Sequence, residues 1–162
     1  MPAASRREAR ERALSLLYEA EAKDLTPSAL LAELPVPPDP FSAQLVQGVE
    51  EHAERINGLI ARFAIDWKLE RMPVVDRMVL RLAVLELLEM PEIPLGATIS
   101  EAVELAKQYS TEESGRFVNG VLASVAADVR APVLASEPDR EAGPARPART
   151  AEEPAWPNER GC

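Results

Sequence analysis

Arginine suits phosphate better than any other side chain, because its guanidinium stays charged and forks onto two oxygens. Residues 5–14 read Ser-Arg-Arg-Glu-Ala-Arg-Glu-Arg-Ala-Leu and set Arg6, Arg7, Arg10 and Arg12 against Glu8 and Glu11. On a helix Arg6 and Arg10 stand one turn apart, with Arg7 three residues before Arg10, so these three occupy one side. Cations in a first helical turn oppose the macrodipole, which favours acids there. They add to a positive potential that suits phosphate. The same residues have a second reading. Glu8 with Arg12, and Arg7 with Glu11, have the i,i+4 spacing of helix-supporting ion pairs, which leaves Arg6 and Arg10 the freest. The segment is then a salt-bridged, solvated helix start. Spacing alone leaves the two readings level.

Other chemistry finds few residues. The one histidine, His52, stands beside Glu50 and Glu51 and reads as a solvated helix-face side chain. The one cysteine, Cys162, excludes an internal disulfide framework and any cysteine-based zinc site. No glycine-rich phosphate loop of the Walker or Rossmann kind occurs. The acidic pairs Glu50–Glu51 and Glu112–Glu113 are adjacent, so on a helix their side chains diverge by about 100°. No catalytic residue, metal or cofactor is expected, and a binding protein is favoured over an enzyme.

The whole chain of 162 residues is acidic, with a formal net charge of −9. A protein that coats duplexes needs a broad basic face to displace counterions, so only a local contact with nucleic acid remains open. About three phosphate contacts give a salt slope of about −2 for single strands, and the arm alone would bind weakly. The most apolar run, 78–90, carries Arg81 and Glu86, and no uninterrupted apolar stretch of about 18 residues exists to span a membrane. No apolar segment follows the N-terminal arginines as a secretory signal requires. A soluble, cytoplasmic protein is expected.

Hydrophobic residues make up 46% of the chain, aromatics only 4%, and the apolar content, mostly Leu, Val and Ala, leans helical. Ala9, Ala13, Leu16, Leu17 and Ala20 form one stripe over a helix at 4–23. Thr26-Pro27 and Asp39-Pro40 each read as an N-cap followed by proline at the first helical position, separated by the stiff connector 35–40. Phe41, Leu45, Val49, Ala53, Ile56, Ile60 and Phe63 continue at helical spacing, with Gly58 as the point that divides the span. Pro73 opens the most apolar helix, over 73–90, which belongs in the middle of the core. Thr98–Glu101 and Ser110–Glu113 have the spacing of capping boxes and open two more helices. Gly120, after Asn119, is read as permitting close helix packing. The fold expected is all-α, six or seven helices over 1–130. Residues 131–162 hold six prolines without apolar periodicity and read as a disordered tail.

Three segments carry a family resemblance: Val-Val-Asp-Arg-Met-Val-Leu-Arg-Leu-Ala-Val-Leu-Glu-Leu (74–87), Ile-Ser-Glu-Ala-Val-Glu-Leu-Ala-Lys (99–107) and Gly-Arg-Phe-Val-Asn-Gly-Val-Leu (115–122). With the arginine-rich start and its Leu17-Tyr18, the chain resembles the NusB family of bacterial transcription antitermination factors over residues 4–130. The resemblance implies two packed helical subdomains. It implies binding of single-stranded boxA RNA in leader and ribosomal RNA transcripts. It also implies action with NusE, a small-subunit ribosomal protein, in the RNA polymerase antitermination complex. Some members form homodimers.

Carried over position by position, the RNA-contacting arm falls on Arg6, Arg7 and Arg10, an RNA-facing aromatic on Phe63, and late-helix contacts on Glu113, Arg116 and Phe117. The NusE-facing surface falls near Glu70, Asp76 and Arg77. Bases of single strands stack on aromatic rings while arginines hold the backbone, yet Phe63 and Phe117 also lie on apolar stripes where core packing is an equal reading. Glu8 stands where many family arms carry arginine, and Leu85 where members often have tyrosine. The alternative is a homodimeric helical scaffold with little RNA binding. NusB-like modules also occur fused to RNA cytosine methyltransferases; this chain is expected to be too short for a cofactor-binding methyltransferase domain, and as part of such an enzyme it would be at most the accessory half.

Overall fold

In the computed structural model, which describes residues 4–65 and 67–130, the chain forms seven α-helices and one 3-10 turn. They are α1 (Arg6–Ala22), α2 (Pro27–Glu33), α3 (Pro40–Glu51), α4 (Ala53–Phe63), the 3-10 turn Leu69–Arg71, α5 (Val74–Glu89), α6 (Leu95–Tyr109) and α7 (Glu112–Val129). No strand occurs among the described residues. The expected tail, residues 131–162, lies outside them.

Helices α1, α2 and α3 pack on one another, and α6 lies along α7. Between the two groups runs α5, which packs against α1, α3, α4, α6 and α7. Its sequence explains that place: from Met78 to Leu87 only Arg81 is not buried. One continuous aliphatic core joins both groups, with Leu16, Leu30, Leu45, Ile56, Ile60, Leu80, Leu85 and Leu122 all within it. A helix apolar on every side is stable only when neighbours cover all of it. The two groups therefore share α5.

The helix starts follow local chemistry, with four corrections. Thr26 and Asp39 cap α2 and α3 as expected, accepting from the Ala29 and Ser42 amides, each ahead of a proline. Thr98 caps nothing. Helix α6 begins four residues earlier, after Pro94, whose fixed φ suits a helix entry, and Thr98 is buried inside it. Thr111 rather than Ser110 caps α7, accepting from the Ser114 amide, while Ser110 closes α6. The break between α3 and α4 falls at His52, not Gly58. Gly120 faces open space, with nothing within 4 Å of an added Cβ; the close approaches are at Gly48, against Leu85, and Gly115, against Lys107, both at 2.7 Å.

The C-terminal end of α5 has its own cap. The last carbonyls of a helix have no partner within it. Arg130, 7% exposed at the end of α7, donates to the carbonyls of Glu86, Leu87, Met90 and Ile93 at 3.0–3.3 Å. A cation at this end also complements the macrodipole. Arg130→Ala is expected to lower stability by about 1–3 kcal/mol in chemical denaturation, because buried carbonyls lose a charged donor; an unchanged midpoint would contradict the capping role.

Asp39 links stability to pH. Burial alone would raise its pKa, but hydrogen bonds from the Ser42 hydroxyl and from backbone amides outweigh it and hold the carboxyl below its ordinary value. A carboxylate with a lowered folded pKa stabilises above its unfolded pKa and loses that contribution as pH falls through the folded one. Asparagine caps as well as aspartate. Asp39→Asn is expected to keep α3 and flatten the acid side of the stability profile, measured by thermal melts across that range.

Candidate nucleic-acid interface

The arginine segment starts α1, and Ser5 caps it. The Ser5 hydroxyl accepts from the Glu8 amide at 3.2 Å, and the Glu8 carboxylate accepts from the Ser5 amide at 2.8 Å. This capping box went unread in the sequence, although Ser5 and Glu8 have its spacing. It also explains the acid in the arm: Glu8 sits where the macrodipole favours a negative charge. Neither Glu8–Arg12 nor Arg7–Glu11 is among the ion pairs of the described residues; Arg7 instead reaches Glu101 of α6 at 3.8 Å, both partly exposed.

Arg10 departs from expectation. Rather than being free, it is 6% exposed, and its guanidinium clasps Glu86 of α5, itself 2% exposed. Nε donates to both carboxylate oxygens at 3.1 and 3.0 Å, and Nη2 donates to Oε1 at 2.6 Å. The arm's outward cations are therefore Arg6, Arg7 and Arg12, all exposed. The reason is one of register: position 10 falls on the Ala9–Ala13 edge of the stripe that faces α5. Glu86→Ala is expected to cost about 3–5 kcal/mol, since it strands a buried cation, whereas Arg10→Met with Glu86→Leu is expected to recover most of that loss. Equal losses in both proteins, read from denaturation midpoints, would sink this account.

Glu113, Arg116 and Phe117 come together on the first turns of α7, with Glu113 and Arg116 exposed and Phe117 half-buried. Trp67 lies against Phe117, ring centroids 5.1 Å apart and planes at 54°, and is 43% exposed. Phe63 is not part of this cluster. It ends α4 beneath the Arg62 guanidinium, 5.0 Å from the ring centre, and Arg62 pairs with Asp128 at 3.5 Å. Asp128 lies three turns along α7 from Phe117, about 16 Å at 1.5 Å per residue. Trp67 occupies the place beside Phe117 that the sequence reading gave to no residue.

Two of the three partner-facing positions also turn inward. Asp76 has no exposed surface and accepts from the Ser114 hydroxyl at 2.8 Å. Arg77 is 9% exposed, paired with Glu21 of α1 and donating to the Leu69 carbonyl at 3.2 Å. Both stand on the first turn of α5, which the neighbouring helices enclose. Glu70 remains exposed, on the rim of a groove of about 520 Å³ bordered by Leu17, Asp24, Leu25 and Arg81.

The arm and the α7 cluster lie at opposite ends of α5, since Arg10 meets Glu86 and Ser114 meets Asp76. Ten residues of helix separate those anchors, about 15 Å. Between them a seam bounded by α1 and α6 runs from the Arg7–Glu101 pair to a cleft of about 350 Å³ lined by Tyr18, Tyr109, Leu14 and Val75. Both tyrosines are half exposed. None of the aromatic side chains of the described residues, Tyr18, Phe41, Phe63, Trp67, Tyr109 and Phe117, is buried; the buried core is aliphatic throughout. Aromatics normally dominate cores. Here Tyr18, Trp67 and Tyr109 are exposed, while Phe41, Phe63 and Phe117 pack half-buried against the aliphatic core.

Among the described residues no group of three or more His, Cys, Asp or Glu could hold a metal, and no helix is long and apolar enough to cross a membrane. Fold and site thus define an all-helical protein that presents exposed arginines and partly exposed aromatics. The NusB family model matches residues 7–127, and the chain belongs to the NusB family. It is 46% identical over 147 residues to the transcription antitermination protein NusB of Acidothermus cellulolyticus, covering 87% of this chain and 98% of that one. It is 48% identical over 122 residues to that of Thermobifida fusca, covering 73% and 86%. Among solved structures, NusB of T. maritima superposes with a TM-score of 0.70 at 37% identity, over 78% of this chain and 93% of that one. A crystal structure of antitermination factors NusB and NusE in complex with dsRNA superposes at 0.66 and 28% identity, over 76% and 96%.

Proposed function

We propose that the chain is a transcription antitermination adaptor that binds single-stranded boxA RNA of ribosomal RNA transcripts together with NusE, and so enters the RNA polymerase antitermination complex in the cytoplasm. The observation that carries this reading is the pairing of half-exposed Trp67 with Phe117 beside exposed Arg116, together with the exposed Arg6 and Arg7 of the arm, on an otherwise acidic protein. Arg6 and Arg7 hold the backbone at one end of the seam. At the other, Arg116 holds it while Phe117 and Trp67 offer faces for bases. Glu113 accepts from a base amino group. Glu70 marks the NusE side, with Arg77 shaping the groove beside it from below. The role is binding rather than catalysis. Support for an RNA-binding pair with NusE comes from the complex of NusB and NusE with dsRNA, whose NusB has this fold.

A titration tests it. Single-stranded boxA RNA is titrated with and without NusE, using wild type, Arg6→Ala/Arg7→Ala and Arg116→Ala, at several salt concentrations. NusE is expected to tighten binding, and each arginine removed to lower the salt slope by about 0.7. A duplex of the same sequence is expected to bind less tightly, because its bases are not free to stack. If NusE gives no gain and the variants bind as wild type does, the adaptor reading fails. Concentration-dependent dimerisation in sedimentation would then favour the homodimeric scaffold.

A further inference from the structure

We propose that Phe41, at the start of α3, is a positioning residue for the arm: its ring holds the Arg6 guanidinium where it meets phosphate. The inference rests on the RNA-contacting role of Arg6 proposed above. Phe41 is half-buried, and two guanidiniums lie over its ring, that of Arg6 at 5.8 Å from the centroid and that of Arg10 at 5.9 Å. The two cations differ in every other respect. Arg10 is locked by Glu86 and buried, so it serves as an immobile neighbour to the ring and adds no free charge to the surface. Arg6 is exposed and makes no ion pair among those of the described residues.

The backbone that bears the ring is anchored. Asp39 caps that helix, and the next residue, Ser42, is fully buried with its one hydroxyl proton shared between Asp39 and the Ala9 carbonyl of α1, the latter at 2.9 Å. The start of α3 is thereby tied to the first turn of the arm. A long arginine side chain at a helix start otherwise samples many rotamers, and ordering it opposes binding. A guanidinium over an aromatic face is attracted through that face, while its N–H donors lie in its own plane and stay free to fork onto phosphate. Phe41 thus removes part of the ordering cost without competing for the donors.

The test is a double-mutant cycle on the full chain, read by binding of a short single-stranded RNA. Phe41→Leu keeps an apolar filling and removes the π face; Phe41→Tyr keeps the face. Phe41→Leu is expected to weaken binding about two- to fivefold when Arg6 is present, and to change nothing when Arg6 is alanine. Phe41→Tyr is expected to bind within about twofold of wild type on the same scale. Melting curves on every variant set a temperature at which all are folded. If Arg6→Ala weakens binding but Phe41→Leu weakens it equally in both backgrounds, Phe41 is only structural and the positioning role is overturned. If Arg6→Ala itself binds as wild type does, the arm reading falls, and the positioning role with it.

Discussion

The buried contact between Arg10 and Glu86 constrains the rest of the molecule. Helix α5 is enclosed by five others, yet it carries Asp76, Arg77, Arg81 and Glu86. Each finds a partner on another helix: Asp76 in Ser114 of α7, Arg81 in Asn57 of α4, and Arg77 and Glu86 in Glu21 and Arg10 of α1, while one Asp76 oxygen and the Arg77 Nε stay unpaired. Taking two charges out of water is costly, and a well-packed apolar pair does as well for stability. What such a network adds is a requirement on position, since a shift of one turn leaves several more buried groups unpaired at once. Two such pairs, near the two ends of α5, fix the register of α1. Burial and the neighbouring Arg77 also push the Arg81 guanidinium's pKa down.

That register sorts the arginines. With Arg10 turned inward, Arg6 and Arg7 face out, and Glu8 folds back as a cap instead of opposing its neighbours. The arm is thus less cationic than a count of its residues suggests and more ordered. The aromatics follow the same economy of charge. An aliphatic core of Leu, Ile, Val, Ala and Met leaves Tyr18, Trp67 and Tyr109 exposed and Phe117 half-buried beside Trp67. On the proposed function, a protein of net charge −9 meets RNA through stacking and a few placed guanidiniums, not through a broad field.

Much of the fold was legible because its signals are local. Thr26-Pro27 and Asp39-Pro40 start helices with the atoms of a few neighbouring residues, and the apolar span 78–90 announces its burial by having no polar face. Where local signals competed, reading them singly misled. Thr98–Glu101 satisfies the spacing of a capping box, but Pro94 starts the helix first. Gly58 looked like a break, yet the chain bends at His52, where α3 and α4 meet against α5. Gly120 looked tight and is open, while Gly48, unread, admits Leu85.

For the site the division is sharper. By itself the sequence determined the helical class, the cluster of arginines at the start and the aromatic and charged residues available for contact, because composition, periodicity and caps depend only on neighbours along the chain. Only the tertiary structure decided which of those residues face solvent. Arg10 and Asp76 turn inward because Glu86 and Ser114 wait for them on other helices, 76 and 38 residues away. Trp67 joins Phe117 because the link between α4 and α5 crosses the start of α7. Spacing along one helix shows which side chains share a face, but whether that face meets water or another charge depends on partners distant in the chain.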